Sequence, residues 1–200
     1  VMSQEATRSD GRMANQLRPL ATEPGILCRA DGSARFSQAD TQVIAAVYGP
    51  CEVKRVRERI DGATIEVHLR PCTGLPGPAE REMEQLLTAT LQQLIITAQH
   101  PRTAITVIIQ TVCDDGSLLS AALNGACVAL MQAGVPMRGV GAGCTIAVLP
   151  SGEALLDPSA DEQSVATAVV TLAFLLRPQV GDTLPQRLLL LSQVQGTVTQ

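Results

Sequence analysis

The most constraining stretch of this chain is residues 103–133. It opens with 103-TAITVIIQTV-112, passes through Asp114-Asp115-Gly116-Ser117, and continues as LLSAALNGACVALMQ. β-Branched residues favour a strand, and Asp, Gly and Ser together mark a tight turn. The run after the turn is apolar on nearly every side, and a helix with no polar face has to sit inside a domain. The pattern therefore predicts a strand over 103–113, a turn, and a central buried helix over 117–133 ended by Gly134 and Pro136. A strand-to-helix turn also presents free N–H groups able to hold an anion. Yet two carboxylates precede this turn, and Leu118 and Leu119 sit at its mouth.

The flanking sequence supplies the other elements. Residues 1–16 are polar and read as an N-terminal extension. From Leu17 onward, short β-prone runs are separated by turn signals. Asp31-Gly32 marks a hairpin turn and Ala39-Asp40 a second, giving a meander over 25–29, 33–38 and 42–49. The stretch 64-TIEVHLRP-71 alternates apolar with polar and predicts a strand. Residues 78–99 predict a helix, with Pro78 in its first turn, Glu80 and Glu82 at its positive end, and an apolar stripe from Met83 to Ala98. A hairpin over 140–149 and 153–157 follows, then β-rich runs at 165–176 and 187–194. No Ser-, Gly- or charge-rich linker divides residues 17–200 and no repeat is visible. We expect one α+β domain there, with mixed sheets packed on buried helices.

Composition excludes several function classes. A net charge of −4 argues against nucleic-acid binding by bulk charge. Aromatic residues are only 2% of the chain, too few for base-stacking platforms. The six cysteines form no C-x-x-C pair and there is no His cluster, so no metal site is expected. We read a reduced intracellular protein without a signal peptide. The longest apolar stretches are interrupted or too short to span a bilayer, so no membrane partner is expected.

Several stretches, in order, resemble the RNase PH family. They are Arg8-Ser9-Asp10-Gly11-Arg12, Asp31-Gly32-Ser33-Ala34 with Val47-Tyr48-Gly49-Pro50, and His100-Pro101-Arg102-Thr103. The turn at 114–119, Ala133-Gly134-Val135-Pro136-Met137-Arg138 and Leu155-Leu156-Asp157-Pro158 complete the set. The resemblance covers about residues 8–176, and three of these stretches look most like a ring subunit of the eukaryotic RNA exosome. It implies an RNase PH-like fold, of the ribosomal protein S5 domain 2-like type, with a further C-terminal helix that this chain would lack. It also implies other RNase PH-like ring subunits, S1/KH-type cap subunits and single-stranded RNA as partners, and a homodimer when the chain is isolated. The implied location is the nucleus and nucleolus, and also the cytoplasm.

Active members of the family attack RNA from its 3′ end with phosphate. Their phosphate turn reads roughly A-D-G-G-T-R-T/S. Here the degenerate phosphate-binding positions are Ser117, Leu118, Leu119 and Ser120, with Leu118 in place of Thr and Leu119 in place of Arg. A hydrogen bond to a charged group contributes about 1.5–3 kcal/mol. Asp114 adds a repulsion of about 3 kcal/mol at roughly 6 Å and an effective dielectric of 20. The acidic motif, roughly L-D-L-D-Y-x-E-D-S, aligns with 156-LDPSADEQS-164. Asp157 matches the first Asp, Ser159 replaces the second and Gln163 the last. Asp157 and Gln163 are thus vestigial catalytic positions, with Asp161 and Glu162 as candidate substitutes. Asp157 also reads simply as a turn residue before Pro158.

In the family, basic residues after the first meander face the pore or the neighbouring active site. Arg55, Arg57, Arg59, Arg70 and Arg81 are therefore the RNA-binding candidates; in a strand the first three would share one face. Arg102 and Arg138 lie at element boundaries and read equally as RNA contacts or as structural residues; His68 and His100 read as structural. Three functions remain open. One is a non-catalytic ring subunit that needs no cofactor. Another is a phosphate-dependent 3′-to-5′ exoribonuclease with a degenerate site, for which inorganic phosphate and Mg²⁺ would be required. An RNA-binding homodimer outside the ring is a third.

Overall fold

The computed structural model describes residue 8 and residues 10–53, 55–177 and 187–196. Residues 1–7 and 9 of the expected extension lie outside the described residues. Two sheets enclose one helix. The first sheet holds β1 (Leu20–Pro24), β2 (Gly32–Gln38), β3 (Thr41–Glu52), β4 (Thr64–Arg70) and β5 (Thr103–Cys113), in the order β1-β2-β3-β5-β4. Its neighbours are antiparallel except β4 and β5, which are parallel. The second is antiparallel, with β6 (Val140–Val148), β7 (Ala154–Leu156), β8 (Ala168–Leu176) and β9 (Arg187–Gly196) in the order β7-β6-β8-β9. The helices are α1 (Pro78–Leu94), α2 (Leu118–Gln132) and the short α3 (Ala160–Val165).

Helix α2 lies between the sheets and packs on β2 and β3 on one side and β6 on the other. Small residues make this possible. Ala121, Ala122, Ala126 and Ala129 are fully buried, and a Cβ on Gly125 would press to 3.2 Å from Val43 and 3.3 Å from Phe36. At the start of β2, a Cβ on Gly32 would lie 2.3 Å from the Ala129 carbonyl oxygen. Leu123 and Leu130 fill the space between, against Val43, Val47, Val107 and Ile109. Helix α1 covers the β4 end of the same core with Leu87, Leu91 and Leu94. Glu80 accepts a hydrogen bond from the Gly77 N–H at 2.8 Å and so caps α1.

Periodicity located most elements, and the departures from it have physical causes. The first strand lies at Leu20–Pro24 instead of 25–29. Gly25 takes a positive φ, and its N–H bonds the Ser33 carbonyl at 2.7 Å, so residues 25–31 form a loop. Asp31 is spent on β3 instead of a tight hairpin: its N–H bonds Val47 O and its carboxylate accepts from Gly49 N–H. Helix α1 stops at Leu94 instead of running to 99. Ile95 bridges Met137, Ile96 N–H bonds Pro136 O, and Arg138 N–H bonds Leu94 O, so this β-branched pair is drawn off as extended chain. Residues 160–165, where a β-rich run was expected to begin at 165, form α3, capped by Ser159. Finally, Arg55–Arg57 is a single 3₁₀ turn, so the Arg55, Arg57, Arg59 alternation does not build a strand face.

Candidate functional site

The turn between β5 and α2 meets the loop between β7 and α3. Gly116 has φ +85°, and a Cβ there would lie 2.8 Å from both Pro158 O and Ala160 N. The turn is fastened from inside. Thr41 Oγ1 donates to Gly116 O at 2.8 Å and accepts from Asp115 N–H at 3.1 Å. Asp114 accepts from Gly116 N–H at 3.0 Å. Ser117, in the left-handed region at φ +58°, donates its hydroxyl to Pro158 O.

The structure therefore brings the two degenerate motifs together. Asp114, Ser117, Leu118, Leu119 and Gln163 line one cavity of about 120 Å³, closed by Met83, Thr145, Thr171 and Gln193. Leu119, where the family's anion-binding Arg would stand, is buried in the core, and Leu118 packs half-buried on it. Ser120 turns inward and donates to Ser117 O at 2.8 Å. Its hydroxyl also takes a bond from Thr145, which meets Thr171 at 3.3 Å. The mouth is thus filled by packed leucine and by hydroxyls bonded to one another. Among the described residues, the single carboxylate on the cavity is Asp114, which opposes an anion.

Asp157 does more than turn the chain. It has φ +54° and no exposed surface. Arg18 grips it through Nη2 to Oδ1 at 2.7 Å, Nε to Oδ2 at 3.0 Å and its own N–H at 2.9 Å. Arg18 also reaches Asp115 O at 2.9 Å and Gly116 O at 3.3 Å, so one guanidinium ties both motifs. Arg12 donates to Asp157 O at 3.3 Å. Arg8 donates to Leu156 O, Asp157 O and both carboxylate oxygens of Glu162. Arg8 and Arg12, within the segment read as a polar extension, are therefore buried. Neither substitute carboxylate faces the cavity. Glu162 is held by Arg8, and Asp161 lines a separate groove of about 750 Å³ with Asp10, Asp40 and Asp115. The carboxylates that a divalent ion would need do not converge on the cavity, so the residues present do not fit a Mg²⁺ site there.

Sequence reasoning gave no role to Arg18 and only motif membership to Arg8 and Arg12. Their partners in the loop before α3 and in α3 stand 139 to 154 positions away, and no local pattern signals such a pairing.

The five candidate arginines are all exposed, but they form two groups. Arg57 O accepts from Thr64 at the start of β4, and Arg57 Nη1 pairs with Glu66 at 2.8 Å. Arg55 and Arg59 lie beside it. Arg70 ends β4, about 20 Å further along the strand at roughly 3.3 Å per residue, and Arg81 stands near the start of α1. His68 lines the shallow groove between β4 and α1 with Arg57, Glu66 and Glu84.

Burial raises the Asp157 carboxyl, but hydrogen bonds from Arg18 and Gln38 and the charge of Arg18 outweigh it and hold it below the ordinary value of 3.8. The Arg8 hydrogen bond holds Glu162 below its ordinary 4.5. As pH falls, the unfolded chain therefore takes up these protons first. The network's stabilisation should be complete above about pH 5 and be lost as pH drops through the depressed folded values. Urea unfolding at a series of pH values between about 2 and about 6 measures this loss. Asp157→Ala takes from buried Arg18 its buried carboxylate partner, leaving only the partly exposed Asp115 at 3.2 Å, and should cost about 3–5 kcal/mol. Exposed Asp161→Ala should cost less than about 1 kcal/mol.

Residues 16–136 match the family model described as 3′ exoribonuclease family, domain 1. The chain is 44% identical over 170 residues to the Arabidopsis thaliana exosome complex exonuclease RRP46 homolog, covering 85% of this chain and 71% of that protein. It is 33% identical over 186 residues to human exosome complex component RRP41, covering 88% and 76%. The crystal structure of rice Rrp46 superposes with a TM-score of 0.88 at 40% identity, covering 96% of this chain and 87% of that one.

Proposed function

This chain belongs to the 3′ exoribonuclease family, that of RNase PH, and from that premise we propose that it is a non-catalytic ring subunit of the RNA exosome. In this role it shapes the channel through which RNA is threaded for 3′-to-5′ processing and degradation. It corresponds to the subunit called exosome component five. Its partners are other RNase PH-like ring subunits, S1/KH-type cap subunits and single-stranded RNA, and it works in the nucleus, nucleolus and cytoplasm. The relatives named for RRP46 and RRP41 of the exosome complex support this reading.

One observation carries the non-catalytic part. The two motifs that active members need meet in a single cavity, and both have lost their chemistry there. Leu119 is core, and Gln163 offers neither a proton acceptor nor a negative charge. One preorganised electrostatic group is commonly worth about 2.7–4 kcal/mol, or roughly 10²–10³ in rate. A proton-transfer carboxylate adds about 10²–10⁴. Because both serve one reaction they do not sum, yet either loss alone drives the rate toward background. The second reading, a phosphate-dependent exoribonuclease, is favoured by the word exonuclease in the Arabidopsis relative's name, which speaks for that protein.

One experiment separates the two. The chain is mixed with an RNase PH-like relative, assembly is followed by native mass spectrometry, and labelled single-stranded RNA is then added with phosphate and Mg²⁺. We expect co-assembly with the relative and, from the chain alone, no nucleoside diphosphate above background. Phosphate-dependent release by the unmodified chain supports the exoribonuclease reading, and a chain indifferent to every relative refutes the ring.

The arginines give a further expectation. If Arg55, Arg57 and Arg59 touch phosphates, replacing all three with Ala should weaken RNA retention by the assembled ring. The salt dependence should flatten by about 0.7 in log–log slope for each phosphate that is no longer neutralised. An unchanged slope with assembly intact would assign this turn to protein partners.

A further inference from the structure

The chain holds four Asp-Gly steps and one Asn-Gly step. Each is a chemical weak point. The side-chain carbonyl carbon of the Asp or Asn lies within reach of the next main-chain nitrogen. A glycine gives that nitrogen no side chain to shield it and a backbone free to swing. Whether the two atoms meet depends on what else holds them.

Four of the five steps are held. The Asp10 carboxylate accepts from Arg12 N–H at 3.1 Å and from Arg12 Nε, and Gly11 N–H donates to Arg8 O at 2.9 Å. Asp31 accepts from Gly49 N–H at 2.8 Å, and Gly32 is fixed in β2 opposite Val47. Asp115 pairs with Arg18 and accepts from Ala160 N–H at 3.4 Å, while Gly116 N–H donates to Asp114. Asn124 lies within α2, and its amide bonds both Gly143 O and Gly143 N–H. Asp61-Gly62 differs. Asp61 is exposed in the turn before β4, and among the described residues neither its carboxylate nor the Gly62 N–H has a partner. Packing nevertheless demands glycine at 62, because a Cβ there would lie 2.9 Å from Thr97 Oγ1. The fold thus fixes the one residue type that leaves this nitrogen bare.

We infer that Asp61 is a modification site, the one Asp-Gly step of the folded chain that isomerises spontaneously to isoaspartate. The Gly62 nitrogen attacks the Asp61 Cγ, a C–N bond forms, and the amide proton leaves with the carboxyl hydroxyl as water. The five-membered imide then takes one water back. Opening at the Asp61 main-chain carbonyl leaves the chain running through Cβ and Cγ, with a carboxylate on Cα; opening at Cγ restores aspartate. One water leaves and one returns, and nothing is oxidised or reduced. The isomer has a main chain longer by one atom, next to a turn tied at both ends. Ala63 N–H bonds Thr97 O at 3.0 Å, and Arg102 N–H bonds Arg59 O at 3.2 Å. The extra length therefore falls on the turn that carries Arg55, Arg57 and Arg59.

The test ages the full chain in warm buffer at neutral pH and digests samples over time with trypsin. An isoaspartyl carboxyl methyltransferase with labelled S-adenosylmethionine then marks each isoaspartate. We expect label to accumulate in the peptide from Ile60 to Arg70, at unchanged peptide mass, ahead of the peptides that contain Asp10, Asp31 and Asp115. In the chain aged in denaturant the four peptides should label alike, which assigns the difference to the fold. Asp61→Glu, whose longer side chain closes the ring far more slowly, should abolish the label. Asp61→Asn, whose neutral amide closes it faster, should raise it. Circular dichroism checks that both variants fold. Label in the folded chain that reaches Asp10, Asp31 or Asp115 as fast as Asp61, or that persists in the 60–70 peptide of Asp61→Glu, would overturn the inference, as would no label at Asp61 in the folded chain.

Discussion

Everything in this fold depends on how closely two sheets can approach one helix. α2 carries Ala and Gly where it meets β2 and β3, and β6 meets it through Gly143, whose Cβ would press to 3.2 Å from Leu123 and Ser120. A larger residue at any of these points would lever a sheet away, because a packed interior has no spare volume. The first residues of α2 are placed by that same packing. The site is therefore an end of the core, and its geometry survives for as long as the core does.

This explains how the turn keeps its shape with Leu118 and Leu119 at its mouth. Arg18 bonds the carbonyls of Asp115 and Gly116 and the carboxylate of Asp157 together. Leu119 strengthens the core where a charged group would have to be solvated. Asp157 has a role in the fold separate from proton transfer: without it the buried Arg18 would keep only the partly exposed Asp115 as a carboxylate partner. A family-typical carboxylate is accordingly poor evidence of activity when its partner is an arginine from the same chain.

The sequence was legible wherever structure is set by neighbours. β5, α2, β4 and the Ala39-Asp40 turn follow from periodicity and turn chemistry, and the two degenerate motifs follow from their residue order. It was illegible wherever distant backbone intervened. Ile95 and Ile96 leave α1 because Pro136 and Arg138 offer extended-chain hydrogen bonds there. Asp31 looks like a hairpin residue until Gly49 and Val47 claim it. α3 is too short for a helical period to register. The arginines that stitch the site bear no mark of their partners, because nothing local distinguishes a buried guanidinium from a solvated one.

That stitching also has a direction in time. Arg8, Arg12 and Arg18 leave a ribosome well before Asp157 and Glu162, which follow 139 to 154 positions later. At about 5–20 residues per second the interval is on the order of ten seconds. Through it the guanidiniums lack Asp157 and Glu162, and the carboxylates already made that pair with them are Asp10, beside Arg12, and later Asp115, which reaches Arg18. The clamp that sets the site therefore closes late in biogenesis, after the first sheet and α2 have been synthesised. A truncated translation product ending before residue 157 would carry the family's opening motif without Asp157 and Glu162, the carboxylates that clasp Arg8 and Arg18.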